Sequence, residues 1–491
     1  MAQNTRQAAN TSITRCFRPR FWYKNRMQTL GLAGLLFLAA ILPSVRSISV
    51  PYLHDDIQVI ENNPSLNKLK PSKPVTNFFL AVGRGISPAP KGQRLLNLAF
   101  HAGTVLLGFL LLVSLARAGG HSLAIPFWAA FLYALSPIHN ETLMVATFRM
   151  EAMATFFTLA AVGAMLWIRR TPFKRALAFM FIALATLSKE TFLPISLAAV
   201  FFASPRGGRK WLAFPAIVLS VALAALLRYD GQSDFPYADV IGSQFSIADH
   251  LVFAARSLIE GTLKTFGAMD LSSLPIPQRM GFLASPALAI LALAGFAIVG
   301  WSWWKMEGWF RLAAALAAPI AIYLVIPNAN LGSEHYWYFP AWGLCLFLVA
   351  GVFWMTQRRP KVAATVPYLL LLLALTMGNR LWETSYQRQN RLAWNTYEVL
   401  RHPDSFIPWN NIAVALLESG YPDRIERAGY FLNKAIALKP RHPMVQLTEY
   451  FYWREKGDRQ GAKERLNEFQ ALMKNTPEKY ARYQRYFNLL P

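Results

Sequence analysis

Apolar and polar stretches alternate along the chain on a scale too long for a soluble helix or strand. Apolar segments stand near 28–49, 95–116, 123–139, 142–167, 175–188, 190–203, 211–228, 284–302, 311–326, 338–355 and 362–378. Most approach the roughly 20 residues that cross a hydrocarbon core. Segments 175–188 and 190–203 are short for a crossing. The pattern predicts an all-α, polytopic membrane bundle of about eleven spans.

After Asn379 the pattern changes. Polar and aromatic positions recur at helical spacing. Trp409, Ile412, Ala413, Gly420, Ala428, Ala435 and Pro440 follow the tetratricopeptide pattern, with a short insertion after Gly420. A second unit carries Gly457, Ala462 and Leu466. The pattern places small residues where two helices cross and Pro where the second helix stops. A helix from Asn390 to Leu400, closed by His402-Pro403, could stack on the first unit. The plainer reading is a generic helical tail. The expected parts are a basic N-terminal segment (1–27), a membrane domain (28–378) and a short tetratricopeptide-repeat domain (379–491).

Composition agrees. Of 491 residues, 54% are hydrophobic and 15% charged, which excludes a single soluble domain and a disordered chain. The net charge of +24 raises the question of nucleic acid. However, the basic residues fall in short clusters between apolar segments: Arg169-Arg170, Lys174-Arg175, Arg209-Lys210 and Arg358-Arg359. That is the bias of cytoplasmic loops, so no nucleic-acid partner is expected. The N-terminus then lies in the cytoplasm. The first apolar segment lacks a clear cleavage site and reads as a retained span. Loops 50–94 and 229–283, and the tail, fall on the opposite side. Within loop 229–283, Ile247 to Phe266 reads as an amphipathic helix, lying on the membrane surface or packed on the bundle. Cys16 and Cys345 should not meet. The missing disulfide and the short tail point to a bacterial inner membrane, with the tail periplasmic.

Four polar constellations fall on the expected extracytoplasmic side. Asp55-Asp56 follows the first span beside His54. A base there needs reach to a hydroxyl and a partly desolvated site; the plainer reading is a solvated carboxylate or a helix cap. Ser136-Pro137-Ile138-His139-Asn140-Glu141 leads to Arg149 and Glu151. On one helix, Glu141 and Arg149 share nearly one face; an internal ion pair is the plainer reading. Lys189-Glu190 forms a third group. Glu334-His335-Tyr336-Trp337-Tyr338 forms the fourth. Lysine and histidine suit a phosphate; snorkelling and an interfacial aromatic belt are the plainer alternatives. Adjacent carboxylates also suit a hard divalent cation, Mg or Mn, at Asp55 and Asp56.

The order of these fragments is informative. An acidic pair follows the first span. Leu95-Leu96-Asn97-Leu98-Ala99-Phe100-His101, Leu132 to Glu141 with Arg149, Leu187-Ser188-Lys189-Glu190 and Glu334 to Pro340 follow, and then Asn390, Trp394 and the repeats. In this order the chain resembles the transmembrane-and-tetratricopeptide-repeat O-mannosyltransferases and their bacterial relatives, of the GT-C superfamily. The resemblance implies a polyprenyl-phosphate sugar donor and inversion at the sugar, mannose being one candidate. It implies that Asp55 or Asp56 is the catalytic base. Glu141 and Arg149 would line the site. Lys189 and the segment around His335 would face the donor phosphate. His54, His139, Glu190, Glu334 and Tyr338 complete the expected substrate-binding set. His54, His335 and His139 depart from the family's usual residues, and the repeat array is short. The acceptor would be an extracytoplasmic hydroxyl, on a protein held by the repeats. The alternatives are a GT-C transferase acting on a lipid or polysaccharide, a lipid-linked transporter, and a non-enzymatic scaffold.

Overall fold

The computed structural model describes residues 26–53, 55–61, 74–168, 171–203, 257–269, 271, 294, 309–317 and 333–474. Cys16, His54, most of loop 229–283, the apolar segment 211–228 and, apart from residue 294, segment 284–302 lie outside these residues, as does most of segment 311–326. Among the described residues every regular element is helical.

The membrane part contains α1 (Arg26–Ile41), α2 (Pro74–Ile86), α3 (Pro90–Ala118), α4 (Ala124–Leu135), α5 (Asn140–Met144), α6 (Arg149–Trp167), α7 (Thr171–Ser188) and α8 (Phe192–Ala203). A helical stretch 257–265 (α9), α10 (Trp309–Ala317), α11 (Pro340–Thr356) and α12 (Pro360–Gln387) follow. Local chemistry sets the ends. Pro43 falls just after α1, and the chain tightens into a 3-10 stretch, Leu42–Ser49. Pro90, Pro340 and Pro360 open helices, where the missing N–H costs nothing. Ser136 precedes Pro137 and is extended, so α4 stops there.

Among the described residues, four helices are long and apolar enough to cross a bilayer: Arg26–Ser49, Pro90–Ala118, Arg149–Trp167 and Pro360–Gln387. Of the apolar stretch of α3 and of α6, 61% is buried, against 28% and 22% for α1 and α12. The first two therefore form the centre, and the last two present apolar side chains outward. Leu369, Leu371, Leu372 and Leu375 of α12 are exposed, as lipid-facing residues should be. α3 packs against α1, α2, α4 and α6, and α11 against α4 and α10. Tyr133 of α4 stacks on Trp342 of α11 at 4.1 Å, and the indole lies over Gly108 of α3. In α9, Leu258 packs on this core, and Ser136 Oγ donates to the Thr265 carbonyl at 2.6 Å. The described part of the amphipathic stretch 247–266 is thus packed on the bundle.

One expectation fails here. Segment 142–167 is not one helix. α5 ends at an extended Val145, and α6 begins four residues later at Arg149. Glu141 and Arg149 therefore do not share a helix face. No Pro or Gly breaks the chain there; tertiary hydrogen bonds described below hold it open.

α12 runs without a break past residue 378 to Gln387. The tail follows as α13 (Arg391–Arg401), α14 (Phe406–Leu417), α15 (Arg424–Leu438), α16 (Pro443–Lys456) and α17 (Arg459–Met473). Asn390 caps α13 by accepting from the Ala393 N–H at 2.8 Å. α14 packs on α15 and α16 on α17. Ala413, Ala428, Ala435 and Ala462 are buried. Gly457 ends α16 at φ 84°, a conformation that favours glycine.

A side chain at position 108 would run into the Trp342 indole. Gly108→Leu should destabilise the bundle by about 1–3 kcal/mol or more. Thermal unfolding in detergent would check it, and an unchanged midpoint would contradict this packing.

Candidate functional site

Acidic and basic side chains from distant parts of the chain gather around the break between α5 and α6. Breaking a helix leaves backbone N–H groups without partners. Asp56 fills that need. Its Oδ2 accepts from the Ala146 N–H at 3.0 Å and its Oδ1 from the Thr147 N–H at 2.9 Å. The carboxylate also sits where the approaching N-terminus of α6 favours negative charge. Arg94, at the start of α3, donates to Oδ2 at 2.9 Å and to the Pro51 carbonyl at 2.7 Å. Both side chains of this pair are 0% exposed. Asp56 is thus a fully engaged interior carboxylate, whereas Asp55 beside it is exposed.

Arg149 opens α6 and is also wholly buried. Its Nε donates to Asn97 Oδ1 at 2.6 Å, its Nη1 to the Phe79 carbonyl at 3.0 Å, and its Nη2 to Gln93 O and Oε1 at 2.8 and 2.7 Å. Asn97 in turn donates to the carbonyls of Thr142, Leu143 and Val145. Arg149, expected to line the site, instead ties α2, α3 and α6 together, and its donors are committed inward. The Asn97 amide holds the end of α5 open. Tyr52 packs against this network, and burial, followed by the nearby Asp56 charge, raises its phenol above the ordinary value.

A second network lies across the break. Glu141 Oε2 accepts both the backbone N–H of His335 at 3.1 Å and its ring Nδ1 at 2.8 Å. An ionised carboxylate can only accept, so Nδ1 carries the proton. The His335 ring stacks on Phe148 at 4.2 Å. Glu334 receives two bonds from Arg388, at 2.8 and 2.9 Å, and Asn140 Oδ1 receives a third at 3.2 Å. Burial alone would lower the Arg388 guanidinium; the Glu334 and Glu398 carboxylates outweigh it and hold it above the ordinary value. Lys189 pairs with Glu151, and its ammonium lies 4.5 Å from the centre of the Tyr336 ring. Lys189 and His335 are 5% and 4% exposed, while Glu190 is exposed.

The remaining expected residues lie deeper. His101 Nδ1 and the Tyr338 hydroxyl are 2.8 Å apart, and His139 Nε2 lies 2.8 Å from the Tyr133 carbonyl. His139 and Tyr338 are 0% exposed and pack against each other, so they are interior groups rather than rim residues. His54 lies outside the described residues. Among the described residues no three His, Cys, Asp or Glu side chains are grouped as a metal site, and the cation facing Asp56 is Arg94. The described residues do not fit a divalent cation.

Sequence reasoning missed Arg94, Gln93 and Arg388. A usable signal existed. Arg94 borders the apolar segment 95–116, where a charge needs a partner or a role; Arg388, ten residues past segment 362–378, carried no such signal.

A search of characterised proteins finds a protein O-mannosyl-transferase, F38B6.6, from Caenorhabditis elegans, 27% identical over 208 residues. The match takes in 37% of this chain and 30% of that protein, so the chain covers under a third of its relative. The likeness supports a glycosyltransferase. No family model matches the chain. No solved structure matches it. Together with the apolar helices, these findings describe a helical membrane protein with a distant glycosyltransferase relative.

The Glu141 carboxyl lies outside the spans. Burial alone would raise it, but the charge and hydrogen bonds of His335, with Arg388 behind, hold it below its ordinary 4.5. A depressed carboxylate contributes stability above its unfolded value, and that stability is lost as pH falls through the folded one. The wild-type protein should therefore lose thermal stability below about pH 4.5. Glu141→Gln should be less stable at pH 7 and flatter with acid. Parallel curves for the two proteins would contradict the pair.

Proposed function

We propose that the protein is an inverting GT-C glycosyltransferase. It transfers a sugar from a polyprenyl-phosphate donor to an acceptor hydroxyl at the end of the bundle where these networks meet. Mannose is the first candidate sugar, by the C. elegans relative's name. The observation that carries the reading is the exposed Asp55 beside a desolvated Asp56–Arg94 pair. In this reading Asp55 is the base. Its carboxylate takes the hydroxyl proton, the acceptor oxygen bonds to the anomeric carbon from the face opposite the phosphate, and the phosphate leaves with the electron pair of the broken bond. Asp56 is a positioning residue that fixes the α5–α6 break. Lys189 and His335, buried beside Glu151 and Glu141, would hold the charge of the leaving phosphate.

The wider arrangement follows the same reading. The bundle has about eleven spans, its N-terminus is cytoplasmic and the tail lies on the far side of a bacterial inner membrane. Helices α14 to α17 are two tetratricopeptide units that present a protein acceptor. The small buried residues at their crossings support the repeat assignment.

Asp55→Asn should lower transfer about 10²–10⁴-fold, the usual worth of a general base, with thermal stability unchanged. Asp56→Asn should act differently, because it leaves Arg94 buried without its charge partner. A loss of about 3–5 kcal/mol of stability is expected there. Transfer from a synthetic polyprenyl-phosphate sugar, read beside thermal unfolding, separates the two. Full transfer by Asp55→Asn would overturn the assignment. Transfer should also persist in EDTA, since Arg94 occupies the cation's place at Asp56; loss restored by Mg or Mn would reverse that conclusion.

A further inference from the structure

Arg388 stands one residue beyond α12, at the point where the chain leaves the bundle for the tail. Its side chain is fully buried and reaches both ways. Toward the bundle it grips Glu334 with two bonds and Asn140 with one. Toward the tail it meets Glu398 at 3.6 Å and lies 4.5 Å from the centre of the Trp394 ring, and the Trp394 N–H itself donates to Glu398 at 3.3 Å. Asn140 and Glu334 directly precede Glu141 and His335 in the chain. One guanidinium therefore contacts the neighbours of both members of the Glu141–His335 pair, and the first helix of the tail.

A planar five-donor group can do this; a point charge cannot. Leaving Glu334 and Glu398 buried without it places two carboxylates in a dry pocket. The Glu334 turn or α13 must then move to water. We propose that Arg388 is a positioning residue that docks α13 onto the 334–337 turn and thereby holds His335 against Glu141. The assignment rests on the transferase reading only for the meaning of His335. The docking itself is independent of it.

The test is amide hydrogen exchange on the full chain in nanodiscs. The His335 N–H donates to Glu141, so its exchange reports the pair directly. Arg388→Gln should speed exchange in 334–337 and in 391–401 by at least about tenfold, while 443–473 stays unchanged. Glu398→Gln should produce a smaller rise in the same two segments. A rise confined to 391–401 would overturn the proposal, since the tail would then be held without consequence for His335. No rise in either variant would overturn it too. Should Arg388→Gln fail to fold, Glu398→Gln decides by the same criterion. In parallel, Glu398→Gln should shift the pH profile of transfer, whereas a merely structural contact would scale it uniformly. Absence of transfer in the wild-type protein would refute the proposed reaction, yet the exchange result would still stand or fall alone.

Discussion

Charge that has lost its water must find partners, and that constraint shapes one end of this molecule. Asp56, Arg94, Arg149, Glu334 and Arg388 are all essentially withdrawn from solvent. Each is met by an opposite charge, by backbone groups, or by both. The Asp56–Arg94 pair is the hinge of the arrangement. It supplies the acceptors that Ala146 and Thr147 need, and so permits the helix break. Without that break, α5 and α6 would run on as one rod. Glu141 and Arg149 would then face the same direction instead of serving separate networks. Such buried pairs need not add net stability against apolar replacements, but removing one partner is costly. What they provide here is a fixed geometry beside an exposed carboxylate.

The two networks differ in what they join. Arg94 and Arg149 bind elements close in the fold, α2, α3 and the start of α6, through carbonyls as much as through charge. Arg388 binds segments far apart in the chain, with Glu334 54 residues away and Asn140 248 away. The first network makes the floor of the site rigid. The second makes the placement of His335 depend on how the tail is seated. A distant glycosyltransferase relative gives this division a chemical sense, since a transferase must hold both a donor and an acceptor.

Much of the helical frame was legible in the sequence. The apolar runs at 95–116 and 338–355 appear as α3, which is longer, and α11, which is shifted by one or two residues, because Pro90 and Pro340 mark their starts. Pro403 and Gly457 mark helix ends in the tail equally well. The break at Val145 was not legible, since nothing in residues 145–148 forbids a helix. It exists because Asn97 and Asp56, remote in sequence, bind the backbone more strongly than the helix would. The positions of Asp56, Glu141, Lys189, Glu334 and His335 beside the ends of apolar segments showed in the sequence. Their partners did not, because pairing is a tertiary fact: Arg149 turned inward, and Arg94 and Arg388 took the carboxylates.

The rod α12 has 28 residues, so it is about 42 Å long. A hydrocarbon layer is about 30 Å thick, and only 22% of the helix's apolar stretch is buried against protein. The rod must lean or project. Either way its last turn, with Arg388 attached, takes its height from the bilayer. Membrane thickness thereby becomes a mechanical input to the pocket: a thinner or thicker bilayer would raise or lower the anchor on which the seating of His335 depends.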